Sequence, residues 1–198
     1  MSNSTNTSDG KPLTSANVVP WLRDIFSQHG DQEYLGEPVT ISQHMLQSAM
    51  LAERASDPEP IIVAALLHDI GHFTSNIGSV ETHDHQDRLH EHAGADVLAG
   101  LFPDLILDCI RYHVDAKRYL CATDSSYFDL LSDASVHSLN LQGGPMSDDE
   151  VASFEQNPNL DAIVKIRRYD DAGKTVGEDT RSFDFYAPMI QRVVDTNS

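Results

Sequence analysis

Between Pro58 and His68 the chain reads Glu59-Pro60-Ile61-Ile62-Val63-Ala64-Ala65-Leu66-Leu67, apolar on nearly every face. Such a stretch has no side to offer to water, so it is expected as a helix at the centre of the fold, with other elements packed round it. It is too short to span a bilayer: the longest unbroken apolar run, Ile61 to Leu67, falls far below the roughly 20 residues required. His68-Asp69 follows at once. An imidazole and an ionised carboxylate at the end of a buried helix are costly unless something coordinates them. A metal ion removes that cost. The chain carries 10 histidines in 198 residues, more than a structure of this size needs.

The remaining elements also read as helices. Val18, Trp21, Leu22, Ile25 and Phe26 recur at helical spacing, and Gly30 closes that segment. Residues 34–38 form a loop, and Thr40 caps a helix whose Ile41, Met45, Ala49 and Ala52 make an inward stripe. From Phe73 the chain turns polar and irregular, with His83 and His85 among acids and glycine. Helices are then expected over about 89–101, from 104 to about 119, from the Ser147-Asp148-Asp149-Glu150 capping box to about 156, over 158–172 and over 183–194, with a turn-rich connection at 173–180. Strand alternation is absent. The expectation is an all-α chain: a flexible segment at residues 1–15 and one helical bundle over 16–198.

Charge sets further bounds. Lys and Arg number 13 against 31 Asp and Glu, a net charge of −18, which argues against nucleic-acid or anionic-membrane partners. Met1 to Asn17 is a Ser/Thr/Asn string without a secretory pattern, and Cys109 and Cys121 fit no metal or disulfide framework. A cytoplasmic protein with two reduced thiols is expected.

Around His68-Asp69 stand His44 on the preceding helix, His90 in His90-Glu91-His92-Ala93-Gly94, His113 on the following helix and Asp170 in Arg167-Arg168-Tyr169-Asp170-Asp171. This order, H…HD…H…H…D over about residues 34–171, resembles the HD-domain superfamily of metal-dependent proteins. More specifically it is similar to the subgroup in which four histidines and two aspartates hold two metals. The resemblance implies that Asp69 bridges the ions, with His44, His68 and Asp170 on one and His90 and His113 on the other. His90 is preferred to His92, and Asp170 to Asp171, by the family pattern. Independently of it, four imidazoles and two carboxylates without thiolate suit iron, manganese or zinc.

Three more residues stand one helical turn from a ligand: His72 four after His68, Lys117 four after His113 and Arg167 three before Asp170. Together they suit an anion with several oxygens, such as phosphate or phosphonate. The segments Tyr34-Leu35-Gly36-Glu37-Pro38-Val39-Thr40, His113-Val114-Asp115-Ala116-Lys117-Arg118-Tyr119-Leu120 and Gln142-Gly143-Gly144-Pro145-Met146 narrow the resemblance. They are similar to the phosphonate-cleaving group of HD-domain mixed-valence di-iron oxygenases, relatives of myo-inositol oxygenase. That resemblance implies two irons, Fe(II)/Fe(III), with O2 as co-substrate. It implies cleavage of the C–P bond of a 1-hydroxy-2-aminoethylphosphonate, releasing phosphate with glycine or, from an N-trimethyl substrate, glycine betaine. It assigns catalytic roles to Tyr34, a loop tyrosine that can occupy a metal position before substrate arrives, and to Glu37, its partner acid moving with that loop. It assigns His72, Lys117, Ser135, Gln142 and Arg167 to the substrate's phosphonate. Tyr34, Glu37 and Tyr119 are candidates for the substrate's nitrogen end, primary or trimethylated. A phosphohydrolase acting on a nucleotide or small phosphate ester is the alternative, and a non-enzymatic sensor a third. His83, His85 and His137 are expected at the surface or behind the site, and the oligomeric state is open.

Overall fold

The computed structural model describes residues 11–34, 36–74 and 90–197. Among them are ten α-helices and no strand, with an isolated antiparallel bridge between Glu33 and Thr40. Residues 1–10 of the segment expected at 1–15, and the stretch around His83 and His85, lie outside the described residues. No described helix is long and apolar enough to cross a membrane.

The apolar stretch is the helix α3, Glu59–Leu67, and every side chain from Ile61 to Leu67 is buried. Removing its five large side chains (Ile61, Ile62, Val63, Leu66, Leu67) from water contributes about 10 kcal/mol. That is comparable with the whole net stability of a domain, so the helix has to sit at the centre. α1 (Val18–His29), α2 (Ile41–Arg54), α6 (Asp104–Thr123), α9 (Leu160–Ala172) and α10 (Phe183–Thr196) surround it, with α3 against α2, α6, α9 and α10. α2 opens on a full capping box, Thr40 with Gln43, and its Ile41, Met45, Ala49 and Ala52 are all buried as the stripe requires. α8 (Asp148–Phe154) opens on the second box, Ser147 with Glu150.

Three elements depart from the sequence expectation. α4 (Gly71–Thr74) is a single turn immediately after His68-Asp69, packed on α5 (His90–Leu98). A 3-10 turn covers Phe128–Leu130, and α7 spans Asp133–Leu141, where no element was expected. α7 lacks a long apolar stripe because only Ser135 and Leu139 are buried on it. α10 runs through Pro188 without ending.

The α4–α5 contact positions His90. A β-carbon on Gly71 would lie 1.8 Å from the His90 carbonyl oxygen, so only glycine permits this approach. Overpacking here forces the two helices apart. Gly71→Ala is therefore expected to cost about 2 kcal/mol or more, lowering Tm by about 4–8 °C in thermal unfolding. An unchanged Tm would show that the helices tolerate a wider spacing.

Candidate metal centre

Five helices deliver the predicted ligands to one point. His44 comes from the first turns of α2, His68 and Asp69 from the end of α3, His90 from the start of α5, His113 from the middle of α6 and Asp170 from the end of α9. Asp69 is buried, and its two oxygens face different groups. Oδ2 lies 3.5 Å from the Nε2 of both His44 and His68, and His44 Nε2 is 3.4 Å from Asp170 Oδ1. Oδ1 lies 3.3 Å from His90 Nε2 and 3.2 Å from His113 Nε2. Within each group the imidazoles face one another, His44 to His68 at 3.0 Å and His90 to His113 at 3.3 Å.

The outer ring nitrogens decide what these atoms are. Nδ1 of His44 donates to the Gly173 carbonyl (3.0 Å), that of His68 to Ala65 (2.8 Å) and that of His113 to Ile110 (2.8 Å). A carbonyl only accepts, so each Nδ1 carries the proton and each Nε2 presents a lone pair inwards. Burial, opposed by Asp69 and Asp170, pulls the His68 pKa down to about 4, so this ring is neutral at ordinary pH. Asp69 Oδ1, Asp69 Oδ2 and Asp170 Oδ1 are buried without a hydrogen-bond donor. Acceptors thus converge on acceptors, an arrangement that a bound metal ion would resolve.

The spacing fits as well. Donor atoms about 2.1 Å from a common ion stand roughly 3.0–3.4 Å apart in tetrahedral or octahedral arrangements, close to the separations observed. Cys109 and Cys121 are free thiols, and neither joins the metal-competent groups found among the described residues.

The structure separates the ambiguous neighbours. His90, not His92, reaches Asp69, since two residues along a helix turn a side chain about 200° away. Asp170 faces His44, whereas Asp171 bonds Arg167 and the Tyr127 hydroxyl. His72 stacks on His90 with ring centroids 4.0 Å apart, its Nε2 3.8 Å from Asp69 Oδ1. Burial, reinforced by His90, lowers its pKa to about 3, so it offers a hydrogen bond and no charge.

Cations line the other side. Lys117 is 3% exposed and donates to Ser138 Oγ at 2.7 Å. Arg167 is buried, and its guanidinium donates to Asp170 Oδ2 (2.6 Å), to Asp171 and to the Tyr127 hydroxyl (3.0 Å). It therefore fixes Asp170 from behind, a role the spacing argument did not include. Ser135 Oγ accepts from Lys174 at 3.3 Å, and Gln142 keeps a buried Oε1 without a donor. Gly143 and Gly144, both at positive φ, turn the segment after Gln142 back onto α6, where Arg118 donates to the Gly144 carbonyl (3.0 Å).

Tyr34 closes the centre, its ring stacked on His44 at 4.3 Å and 14°. Burial, with Asp69 and Asp170 nearby, pushes its phenol well above the ordinary pKa. Glu37 bonds back to Tyr34 through the backbone (2.7 Å) and accepts from Ser132 Oγ (2.5 Å) and Lys174 Nζ (3.2 Å). Tyr119 is a correction. Six residues past His113 it points about 240° round α6, and its hydroxyl meets Glu155 (3.2 Å) and its ring Phe154 on the α8 side. His137 is exposed on α7. Lys174, Ser138 and Tyr127 went unforeseen. Lys174 stands four residues after Asp170, the spacing that singled out His72 and Lys117, but falls in a stretch read only as turns.

Residues 41–152 match the family model "HD domain". The chain belongs to the HD-domain family. It is 56% identical over 187 residues, 94% of its length and 95% of the relative's, to the [1-hydroxy-2-(trimethylamino)ethyl]phosphonate dioxygenase (glycine-betaine-forming) of Leisingera caerulea. It is 42% identical over 170 residues, 83% of this chain and 82% of the relative, to the hydroxymethylphosphonate dioxygenase of Gimesia maris. An uncharacterised protein of Acanthamoeba polyphaga mimivirus is 34% identical over 178 residues, 87% of this chain and 80% of the relative. For an HD protein with this donor set, metal binding adds folded-state stability by mass action. A divalent metal at about 100 times its Kd should raise Tm by about 5–10 °C, and a chelator should reverse it. A Tm indifferent to both would contradict the metal fit.

Proposed function

We propose that this chain is an O2-dependent di-iron oxygenase that cleaves the C–P bond of 1-hydroxy-2-(trimethylamino)ethylphosphonate, yielding glycine betaine and inorganic phosphate. The observation that carries the proposal is the division of one buried carboxylate, Asp69, between two groups of imidazoles, with the buried cations Lys117 and Arg167 nearby. The 56% identity to a dioxygenase of that name supports the same substrate here, and the 42% relative supports phosphonate chemistry more broadly. The reaction balances without an external reductant. The hydroxyphosphonate and O2 give carboxylate, phosphate and a proton, with one oxygen atom entering each product.

His44, His68 and Asp170 would hold one iron, His90 and His113 the other, and Asp69 both. When bound, the irons supply a chelating site for the substrate's oxygens and the one-electron steps that O2 requires. The rest is the work of side chains. Lys117 as a point charge, Ser135 and Gln142 as polar contacts and His72 as a donor hold the phosphonate against the centre. Arg167 adds charge there and keeps Asp170 oriented. Tyr34 covers His44 and keeps water out until substrate enters, and Glu37 takes the substrate's cationic end. A net charge of −18 does not oppose an anionic substrate here, because the anion meets these local cations.

Phosphate release from the hydroxyphosphonate should consume one O2 per phosphate, measured with an oxygen electrode and a phosphate assay. Equal release under strict anaerobiosis would show hydrolysis and overturn the proposal. A second outcome concerns pH. Burial first, and Arg167 next, lower the Lys117 pKa to about 7, so the free enzyme loses this charge as pH rises through 7. A bound dianion favours the protonated lysine. Affinity should therefore weaken above pH 7, approaching tenfold per unit, with proton uptake on binding at pH 8 in calorimetry across buffers. Lys117→Met should abolish that uptake.

A further inference from the structure

We infer that the Lys174 ammonium occupies the subsite meant for the substrate's quaternary nitrogen, and that substrate binding exchanges one cation for the other on Glu37. The inference rests on the functional reading above for the substrate's chemistry, and on the geometry for the site.

Lys174 Nζ sits 3.2 Å from Glu37 Oε1 and 5.6 Å from the centroid of the Tyr34 ring. A carboxylate on one side and an aromatic face on the other are what a trimethylammonium group requires, because it cannot donate a hydrogen bond. The loop that would receive the substrate's cation thus already holds one of the protein's own. Its burial explains why. The Glu37 side chain is 8% exposed, and a carboxylate so placed needs a positive partner whether or not substrate is present. Ser132 Oγ, at 2.5 Å, satisfies one lone pair but brings no charge.

Lys174 and Ser132 both bond Glu37 Oε1, so a bulky trimethylammonium brought against this carboxylate competes with Lys174 for it. Lys174 has somewhere to go: its Nζ is already 3.3 Å from Ser135 Oγ, a residue assigned to the phosphonate, and its flexible stem permits the shift. A phosphonate lacking a cationic end leaves the Lys174–Glu37 pair intact. Lys174 is then a specificity-determining residue. It lets uncharged phosphonates bind without stranding Glu37, and it competes with cationic ones.

The test is the ratio of two dissociation constants, measured anaerobically by calorimetry on the metal-loaded protein. The ligands are 1-hydroxy-2-(trimethylamino)ethylphosphonate and hydroxymethylphosphonate. Only a grip of Lys174 on the phosphonate that both complexes share cancels in this ratio. Lys174→Met should raise the preference for the trimethylammonium ligand about fivefold, the size of a modest ion pair. Lys174→Gln should do the same, Lys174→Arg should stay near the wild-type ratio, and the rise should vanish in a Glu37→Gln background. Thermal unfolding identifies a variant that has lost its fold, and the two neutral replacements provide independent readings.

An unchanged or lower preference in Lys174→Met and Lys174→Gln, or an equal rise without Glu37, overturns the inference. If both ligands bind as expected but phosphate release needs no O2, the functional reading falls and the cation exchange stands. If neither ligand binds, both fall.

Discussion

The structure turns on a carboxylate that has no donor. Asp69 is carried into the interior by the most apolar helix of the chain and meets four imidazoles, at least three of which have their protons committed to backbone carbonyls on the far side. Buried acceptors facing acceptors are strongly unfavourable in a neutral interior. A metal ion held between them would satisfy the inward atoms. The hydrophobic centre and the polar centre are therefore one construction. α3 contributes the burial that holds the domain together, and its last turn places the residue that needs a metal.

The layer behind the ligands explains how five helices keep donor atoms within a few tenths of an ångström of a usable geometry. Backbone carbonyls of Gly173, Ala65 and Ile110 orient three rings, and Arg167 orients Asp170 while answering to Asp171 and Tyr127. Such partners set ring orientation and ligand basicity as much as the ligands do. Gly173 has a double duty. A β-carbon there would sit 2.6 Å from Ser48 Oγ, so the carbonyl that orients His44 depends on a close crossing of α2 with the end of α9.

Much of this was legible in the sequence where periodicity and caps are strong. α3 matches its apolar run from end to end, α2 starts at the expected capping threonine, and all six proposed ligands meet at one point. What escaped has physical causes. Gly71 reads as a helix breaker, but it stands where two helices touch, so α4 was missed. α7 buries only two side chains and leaves little apolar period to find, and with it went Ser138, the partner of Lys117. Tyr119 offers an aromatic face for the substrate's nitrogen, but its angle on α6 sends it to α8. Lys174 lies beyond the last turn of α9, in a turn-rich stretch without helical periodicity, yet it packs between Glu37 and Tyr34.

The claim on which everything else rests is that one carboxylate couples two metal ions. Electron paramagnetic resonance of the partly oxidised, iron-loaded protein measures this most directly. A bridging Asp69 predicts a spin-coupled Fe(II)/Fe(III) signal that changes when hydroxyphosphonate is added and is lost in Asp69→Asn. Isolated high-spin Fe(III) alone, insensitive to substrate and unchanged by Asp69→Asn, would contradict it.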